Sequence, residues 1–376
     1  MSICIAFTGG GTGGHIYPGL AVAEQFKSVC SENADISAKI IWIGSSAGMD
    51  KRIVESNSVV DKFYGIPSGK LRRYFSFRNL LDVFKIIAGF FAAFFILLKN
   101  RPSVLFSKGG FVSVPPCFAA KILGIPVYTH ECDFSPGLAT KLNTKAASKV
   151  LLSYKQTEKF FAGKNKEKLV VTGNPVRPAF YSASAKKGRD FLGLEEVTDK
   201  PVLVVIGGSL GAKQINELIY QNIEFLCEHF IVVHQTGAGN EVSLTEKVAN
   251  DSYKPYSFIY GEMPDVLAAA DIILSRAGAN SLWECAVLKK PMVLVPLCGS
   301  GTRGDQVENA RFFEENNAAT VLLGEDADSQ HLQDALIKML DESTRKNFAE
   351  SCSALKDSIP PAKRIADLLY TEVVSK

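Results

Sequence analysis

Each half of this chain opens with the same pattern: a short apolar run, a cluster of glycines, then a helical stretch. Residues 3–7 run into Gly9, Gly10, Gly11, Thr12, Gly13, Gly14 and His15, after which Pro18, Leu20, Ala21, Val22 and Ala23 open a helix. Residues 202–206 run into Gly207, Gly208, Ser209, Leu210, Gly211 and Ala212 before a second helix. Strand, tight loop and helix in succession are the building unit of a parallel sheet covered by helices on both faces.

Further β-branched runs continue the alternation. In the first half they predict strands at 40–43, 104–106, 127–129, 150–152 and 169–172; in the second, at 231–234, 257–260, 272–274, 292–295 and 319–322. Two prolines in the GNPVRP segment at 173–178 interrupt any regular element, and a lysine-rich stretch follows up to Pro201. The expected division is therefore a domain at 1–178 and a second at 179–357, with a final helical stretch at 358–376. At 376 residues the chain exceeds what one core usually supports, and 47% hydrophobic residues suffice for two.

The formal charge of +3 gives no ground for a nucleic-acid partner. The eight cysteines are scattered without a CxxC pair and read as reduced core residues of a cytosolic protein. Met1 leads straight into a strand-like segment without a basic region or cleavage site, so export is not expected. Residues 86–98 are almost wholly apolar, but 13 residues fall short of the roughly 20 that span a bilayer. Lys70, Arg72, Arg73, Arg78 and Lys85 precede this run, and Lys99 and Arg101 follow it. An apolar face beside cations suits an anionic membrane surface, with Phe90, Phe91, Phe94 and Phe95 as the inserting side chains; a helix buried against a sheet is the alternative.

The glycine loops carry the chemistry. Glycine lets the backbone approach an anion, and a helix N-terminus favours phosphate. The first loop contains GxGxxG, yet residues 44–46 after the second strand are Gly-Ser-Ser where a dinucleotide site wants a carboxylate. No GKS or GKT closes either loop, so nucleotide triphosphate hydrolysis is unsupported. A third loop, Lys108, Gly109, Gly110 and Phe111, follows the strand at 104–106. Asp326-Ala327-Asp328 has the letters of a metal-binding Asp-x-Asp, but its place before a helix reads as an N-cap by Asp328, and no metal site is expected.

Together these loops, with HECD at 130–133, GNPVRP at 173–178, HQTGAG at 234–239, SRAGANSLWE at 275–284 and GDQVENA at 304–310, resemble the MurG family of undecaprenyldiphospho-muramoylpentapeptide N-acetylglucosaminyltransferases, in order and spacing from Ile3 to about Thr320. The resemblance implies the GT-B fold, two Rossmann-like parallel-sheet domains, the C-terminal one for the donor UDP-N-acetylglucosamine (UDP-GlcNAc) and the N-terminal one for the lipid acceptor. It implies inverting transfer to the 4-hydroxyl of muramic acid on the lipid-linked muramyl pentapeptide, at the cytoplasmic face of the membrane. It also implies a last helix that crosses back to the first domain, no cofactor held by the protein, room for a free divalent ion, and other cell-wall synthesis proteins as partners.

By the same resemblance Thr12, Gly13, Gly14, Arg177, Ser209, Tyr260 and Gln306 would meet the donor. Residues Ala279, Asn280, Ser281, Leu282, Trp283 and Glu284 would form its nucleotide helix, with the Glu284 carboxylate on the ribose diol. Gly10, Gly11, Lys108, Gly109 and Gly110 would lie toward the acceptor pyrophosphate. His15 is the candidate base, since an imidazole titrates near neutral pH, and Glu131 ranks below it; a histidine that only bonds loop backbone or phosphate is the plainer alternative. His130 and His234 end predicted strands and read as structural. Cys132 and Asp133 replace the family's Gln-Asn, which weakens Asp133 as a sugar contact because a carboxylate cannot donate. Asp305 likewise replaces a glutamine of some members. A UDP-sugar 2-epimerase and a diacylglycerol glucosyltransferase share this scaffold and are the alternatives, as is a binding module without turnover.

Overall fold

The computed structural model describes residues 2–33, 36–69, 77–208, 211–238, 240, 252–299 and 302–375. Arg72, Arg73 and Ser209 lie outside them. The chain divides into two compact units, Met1–Arg177 with Asp357–Lys376, and Pro178–Lys356, the break falling inside GNPVRP.

Unit 1 holds β1 Ser2–Thr8, β2 Ser37–Ser45, β3 Lys62–Ile66, β4 Val104–Ser107, β5 Val127–Glu131, β6 Lys149–Leu152 and β7 Leu169–Val171. They pair in parallel in the order β3-β2-β1-β4-β5-β6-β7, so the chain reverses its direction of travel across the sheet at β1 and β4. Alternation along β1 sends Ile3, Ile5 and Phe7 to one face, where helix α1 (Gly13–Glu32) and the C-terminal helix Pro361–Val374 cover them. Ala6 faces the other side, under α3 (Phe77–Asn100) and α4 (Val114–Ile122). The short helix α2 (Asp50–Glu55) follows β2, and α5 (Leu138–Asn143) follows β5. Tyr128 on β5 donates its hydroxyl to Glu372 at 2.9 Å, tying the C-terminal helix to unit 1. β3 escapes sequence reading because it is a partly exposed edge strand interrupted by Gly65.

Helix α3 runs well past the apolar run at 86–98, and residues 81–100 within it are long and apolar enough to cross a membrane by length and composition. Its two faces differ. Ala93 and Leu97 are buried in the core and Gly89 lies against the Pro67 carbonyl, whereas Phe84, Ile87, Phe91, Phe95 and Leu98 form an exposed stripe at helical spacing. Phe90 and Phe94 pack on the core, so the four phenylalanines divide into an inner and an outer pair.

Unit 2 repeats the plan with β8 Val202–Ile206, β9 Ile231–Gln235, β10 Tyr253–Tyr256, β11 Ile272–Ser275, β12 Met292–Leu294 and β13 Ala319–Val321 in the order β10-β9-β8-β11-β12-β13. The strand expected at 257–260 is displaced to Tyr253–Tyr256. Pro255 argues against a strand locally, but β10 is an edge strand, where a missing N–H is tolerated. Helices α6 (Lys213–Gln221), α7 (Ala279–Val287) and α8 (Asp305–Glu315) leave the ends of the loops that matter below. Asp328 caps the helix Ser329–Lys338, accepting from the His331 amide at 2.9 Å, which fits the N-cap reading. None of the eight cysteines forms a disulfide.

His234 is fully buried on β9, between the Tyr253 hydroxyl and the Asn216 side-chain oxygen, each at 3.1 Å. Burial lowers its pKa to about 4. The unfolded chain, with an ordinary imidazole, then binds more protons than the native one between about pH 4 and pH 6.5, so stability is full above that window and falls as pH drops through it, by about 3 kcal/mol in all. Urea titrations of the wild type should therefore lose midpoint from pH 7 to pH 4.5, and His234→Gln should show a flatter dependence; equal slopes would refute the assignment.

Candidate active site

Unit 1 brings the first and third glycine loops together at the ends of β1 and β4. The Lys108 amide donates to the Thr8 carbonyl at 2.8 Å, and Trp42 Nε1 donates to the Gly9 carbonyl at 3.1 Å. Glycine is required by contact: a Cβ on Gly10 would fall 1.8 Å from an Asp50 carboxylate oxygen, and one on Gly110 would fall 2.6 Å from the Gly10 carbonyl and 2.9 Å from the His15 ring. Gly109 and Gly110 also have positive φ, 87° and 78°.

His15, in the first turn of α1, is thus held between the two loops. Its Nδ1 lies 3.3 Å from the Lys108 carbonyl. A carbonyl only accepts, so Nδ1 carries the proton and the neutral ring has its lone pair on Nε2. Thr12 is the N-cap residue of this 20-residue helix, and Gly13 and Gly14 form its first turn, the end that favours anions. Gly11 departs from its expected role: its amide donates to Asp50 at 2.9 Å, so that donor faces the protein. Arg177 lies over the Tyr17 ring, 5.1 Å from its centroid.

Two expected participants, Lys108 and Glu131, turn inward, as does His130, which the sequence reads as structural. Lys108 is 1% exposed, and its ammonium has no hydrogen-bond partner among the described residues, so it does not present a surface charge to a pyrophosphate. His130 Nε2 donates to the Gly173 carbonyl at 3.0 Å, and burial, then the Lys108 charge, hold its pKa well below the ordinary value. Glu131 accepts from the Asp133 amide at 3.0 Å and the Gly137 amide at 2.9 Å, shaping the loop that leads into α5. Burial first, and then Asp133, raise its pKa. Glu131, Cys132 and Asp133 bring ligand atoms within 4.8 Å of one another, but the glutamate oxygens already serve backbone amides, which does not suit a metal centre.

In unit 2 the second glycine loop leaves β8. A Cβ on Gly211 would lie 2.2 Å from the Thr236 carbonyl. Gln235, which sequence reasoning did not single out, donates to the Gly208 carbonyl at 3.3 Å and accepts from the Ile259 amide at 3.0 Å, joining the loop to the segment that carries Tyr260. Tyr260 itself is 75% exposed.

Helical periodicity sorts the run 279–284. Ala279, Leu282 and Trp283 are buried, with Trp283 against Phe313 at 5.4 Å, so their side chains belong to the core. Asn280, Ser281 and Glu284 share the half-exposed face of α7. Gln306, at the start of α8, accepts from the Leu297 amide at 2.9 Å through its oxygen, which leaves its amide nitrogen to donate. Asp305 pairs with Arg303 at 3.1 Å.

Residues 5–152 match the glycosyltransferase family 28 N-terminal domain, and residues 202–368 match the family 28 C-terminal domain. A Treponema denticola protein named UDP-N-acetylglucosamine--N-acetylmuramyl-(pentapeptide) pyrophosphoryl-undecaprenol N-acetylglucosamine transferase is 49% identical, over 99% of this chain and 98% of its own. Proteins of the same name from Treponema pallidum and Clostridium kluyveri are 46% and 42% identical, over 94% and 89% of this chain and 89% and 90% of theirs. The crystal structure of Acinetobacter baumannii MurG superposes with a TM-score of 0.73 at 24% identity, covering 98% of this chain and 99% of that one. A UDP-GlcNAc 2-epimerase from Neisseria meningitidis bound to UDP-GlcNAc reaches 0.64 at 12% identity over the whole of both chains. The superpositions speak for the GT-B fold alone, shared by transferase and epimerase, while the sequence match runs along nearly the whole chain at close to half identity. The chain therefore belongs to the family of MurG N-acetylglucosamine transferases, built from the two family 28 glycosyltransferase domains.

Proposed function

We propose that this chain transfers N-acetylglucosamine from UDP-GlcNAc to the 4-hydroxyl of muramic acid in undecaprenyl-pyrophosphoryl-MurNAc-pentapeptide, with inversion at the anomeric carbon. The observation that carries the proposal is the 49% identity, along 99% of the chain, to a transferase of that name. An epimerase is the weaker reading because its likeness rests on fold at 12% identity.

Unit 2 takes the donor. Glu284 accepts from both ribose hydroxyls, a task that suits an acceptor-only carboxylate. The helix ends that open α6 and α7 meet the diphosphate, with Ser209, outside the described residues, as a further donor; Tyr260 and its neighbours hold uracil by backbone, and the Gln306 amide nitrogen donates to the sugar. Unit 1 takes the acceptor. Nε2 of His15 removes the proton from the attacking hydroxyl as the bond to C1 forms and the bond from C1 to the diphosphate oxygen breaks. UDP departs with that electron pair, and fixed donors at helix ends stabilise its charge. A free divalent ion accompanying the diphosphate is compatible with these roles.

The acceptor is lipid-linked, and the exposed stripe of α3 supplies a means of reaching it. Phe84, Phe91 and Phe95 enter the acyl boundary while Lys85, Lys99 and Arg101 meet anionic headgroups at the cytoplasmic surface. Other cell-wall synthesis proteins would meet the enzyme there.

Two experiments test this reading. Incubation with labelled UDP-GlcNAc and the lipid-linked muramyl pentapeptide should move label into the lipid fraction, and His15→Ala should slow this by about a hundredfold or more; label appearing only in free sugar would refute the proposal. Phe91→Ser with Phe95→Ser should reduce cosedimentation with anionic vesicles by about tenfold at an unchanged melting temperature, because both rings are exposed. Undiminished vesicle binding would exclude this face.

A further inference from the structure

The β1–α1 loop owes its conformation to a residue 39 positions from Gly11. Asp50 is wholly buried at the start of α2. One carboxylate oxygen accepts from the Gly11 amide at 2.9 Å, the other from the Ser45 amide at 2.9 Å. The Gly10 Cα packs directly against the same carboxylate, with no room for a Cβ. Beyond this tether the chain passes Gly11, whose Cβ position is blocked by Phe111 at 2.5 Å, and enters α1, where the His15 amide donates to the Thr12 carbonyl at 3.1 Å. The fixed stretch is therefore continuous from Asp50 to the imidazole.

We propose that Asp50 is a positioning residue for sugar transfer: by accepting from the Gly11 amide its carboxylate sets the first glycine loop in register, and so sets His15 and the first turn of α1 against the reacting groups. The proposal rests on the transfer reaction advanced above. It depends on the carboxylate's chemistry, because a carboxylate offers two acceptors and no donor. An asparagine of equal size would turn an NH2 group toward one of the two backbone amides and lose that bond. Asp50 has no part in nucleotide binding on this account, since the donor's uridine belongs to unit 2.

Asp50→Asn should lower kcat by about ten- to a hundredfold while the KM for UDP-GlcNAc stays within about twofold. Hydrogen exchange of the Gly11 amide should accelerate at least tenfold, while Phe7 and Val22 keep their protection. That local pattern distinguishes a released loop from general unfolding, which would expose all three. Gly10→Ala, whose new methyl meets the same carboxylate, should give the same kinetic and exchange pattern by an independent route. Wild-type kcat in Asp50→Asn would overturn the proposal. So would a Gly11 amide in the wild-type protein that exchanges as fast as an unbonded loop amide, a measurement that needs no variant to fold. If the wild type itself moves no label to lipid, the transfer reaction falls; a protected Gly11 amide in that case leaves the tether as a structural finding without the role proposed here.

Discussion

Parallel pairing brings the C-terminal ends of β1, β4 and β5 to one edge of the unit 1 sheet, and the backbone leaving them must turn at once. Here the turn at β1 is closely packed: Trp42 donates to the Gly9 carbonyl, Asp50 accepts from the Gly11 amide, and a Cβ on Gly10, Gly11 or Gly110 would run into Asp50, Phe111 or the Gly10 carbonyl respectively. Side chains could not be accommodated there, and their absence is what lets backbone groups come so near the site. The entropic cost of so many glycines in the unfolded chain is offset by these contacts. Unit 2 uses a parallel solution, with Gln235 in place of the carboxylate as the link between its glycine loop and a neighbouring segment.

This packing separates groups that build the site from groups left to act in it. Glu131, His130 and the Gly11 amide are polar and near the loops, yet each already serves the fold. The Lys108 ammonium is enclosed with no acceptor among the described residues, beside a His130 that is held neutral. On the proposed reading the chemistry falls to the imidazole of His15, oriented by a main-chain carbonyl, together with helix ends and the half-exposed carboxylate of Glu284. Inverting transfer asks for little more: one base, fixed donors for a departing diphosphate, and a grip on the nucleoside.

Much of this was legible in the sequence because it is local. The strand, glycine and helix succession announced both sheets, and the prolines of GNPVRP coincide with the break between units. Edge strands were less visible: Gly65 masks β3 and Pro255 masks β10, since a strand paired on one side tolerates residues that an interior strand excludes. Glu284 could be picked out by motif, but only the helical phase of α7 separates it from Leu282 and Trp283, which face the core. Asp50 left no signal at all. Its partner is remote along the chain, and a lone aspartate before a short helix reads as an ordinary surface residue until the fold encloses it. The division of α3 into a core face and an exposed face was hidden for a related reason, because both faces are apolar and composition cannot tell them apart.

The central proposal is that unit 2 grips the nucleotide of the donor sugar through its glycine loop and Glu284. A crystal structure with UDP-GlcNAc bound tests it most directly. The account predicts the ribose hydroxyls within hydrogen-bonding distance of Glu284, uracil against the backbone at 257–260 and the diphosphate at the second glycine loop. Uridine bound elsewhere, or a ribose that leaves the Glu284 carboxylate in water, would contradict it.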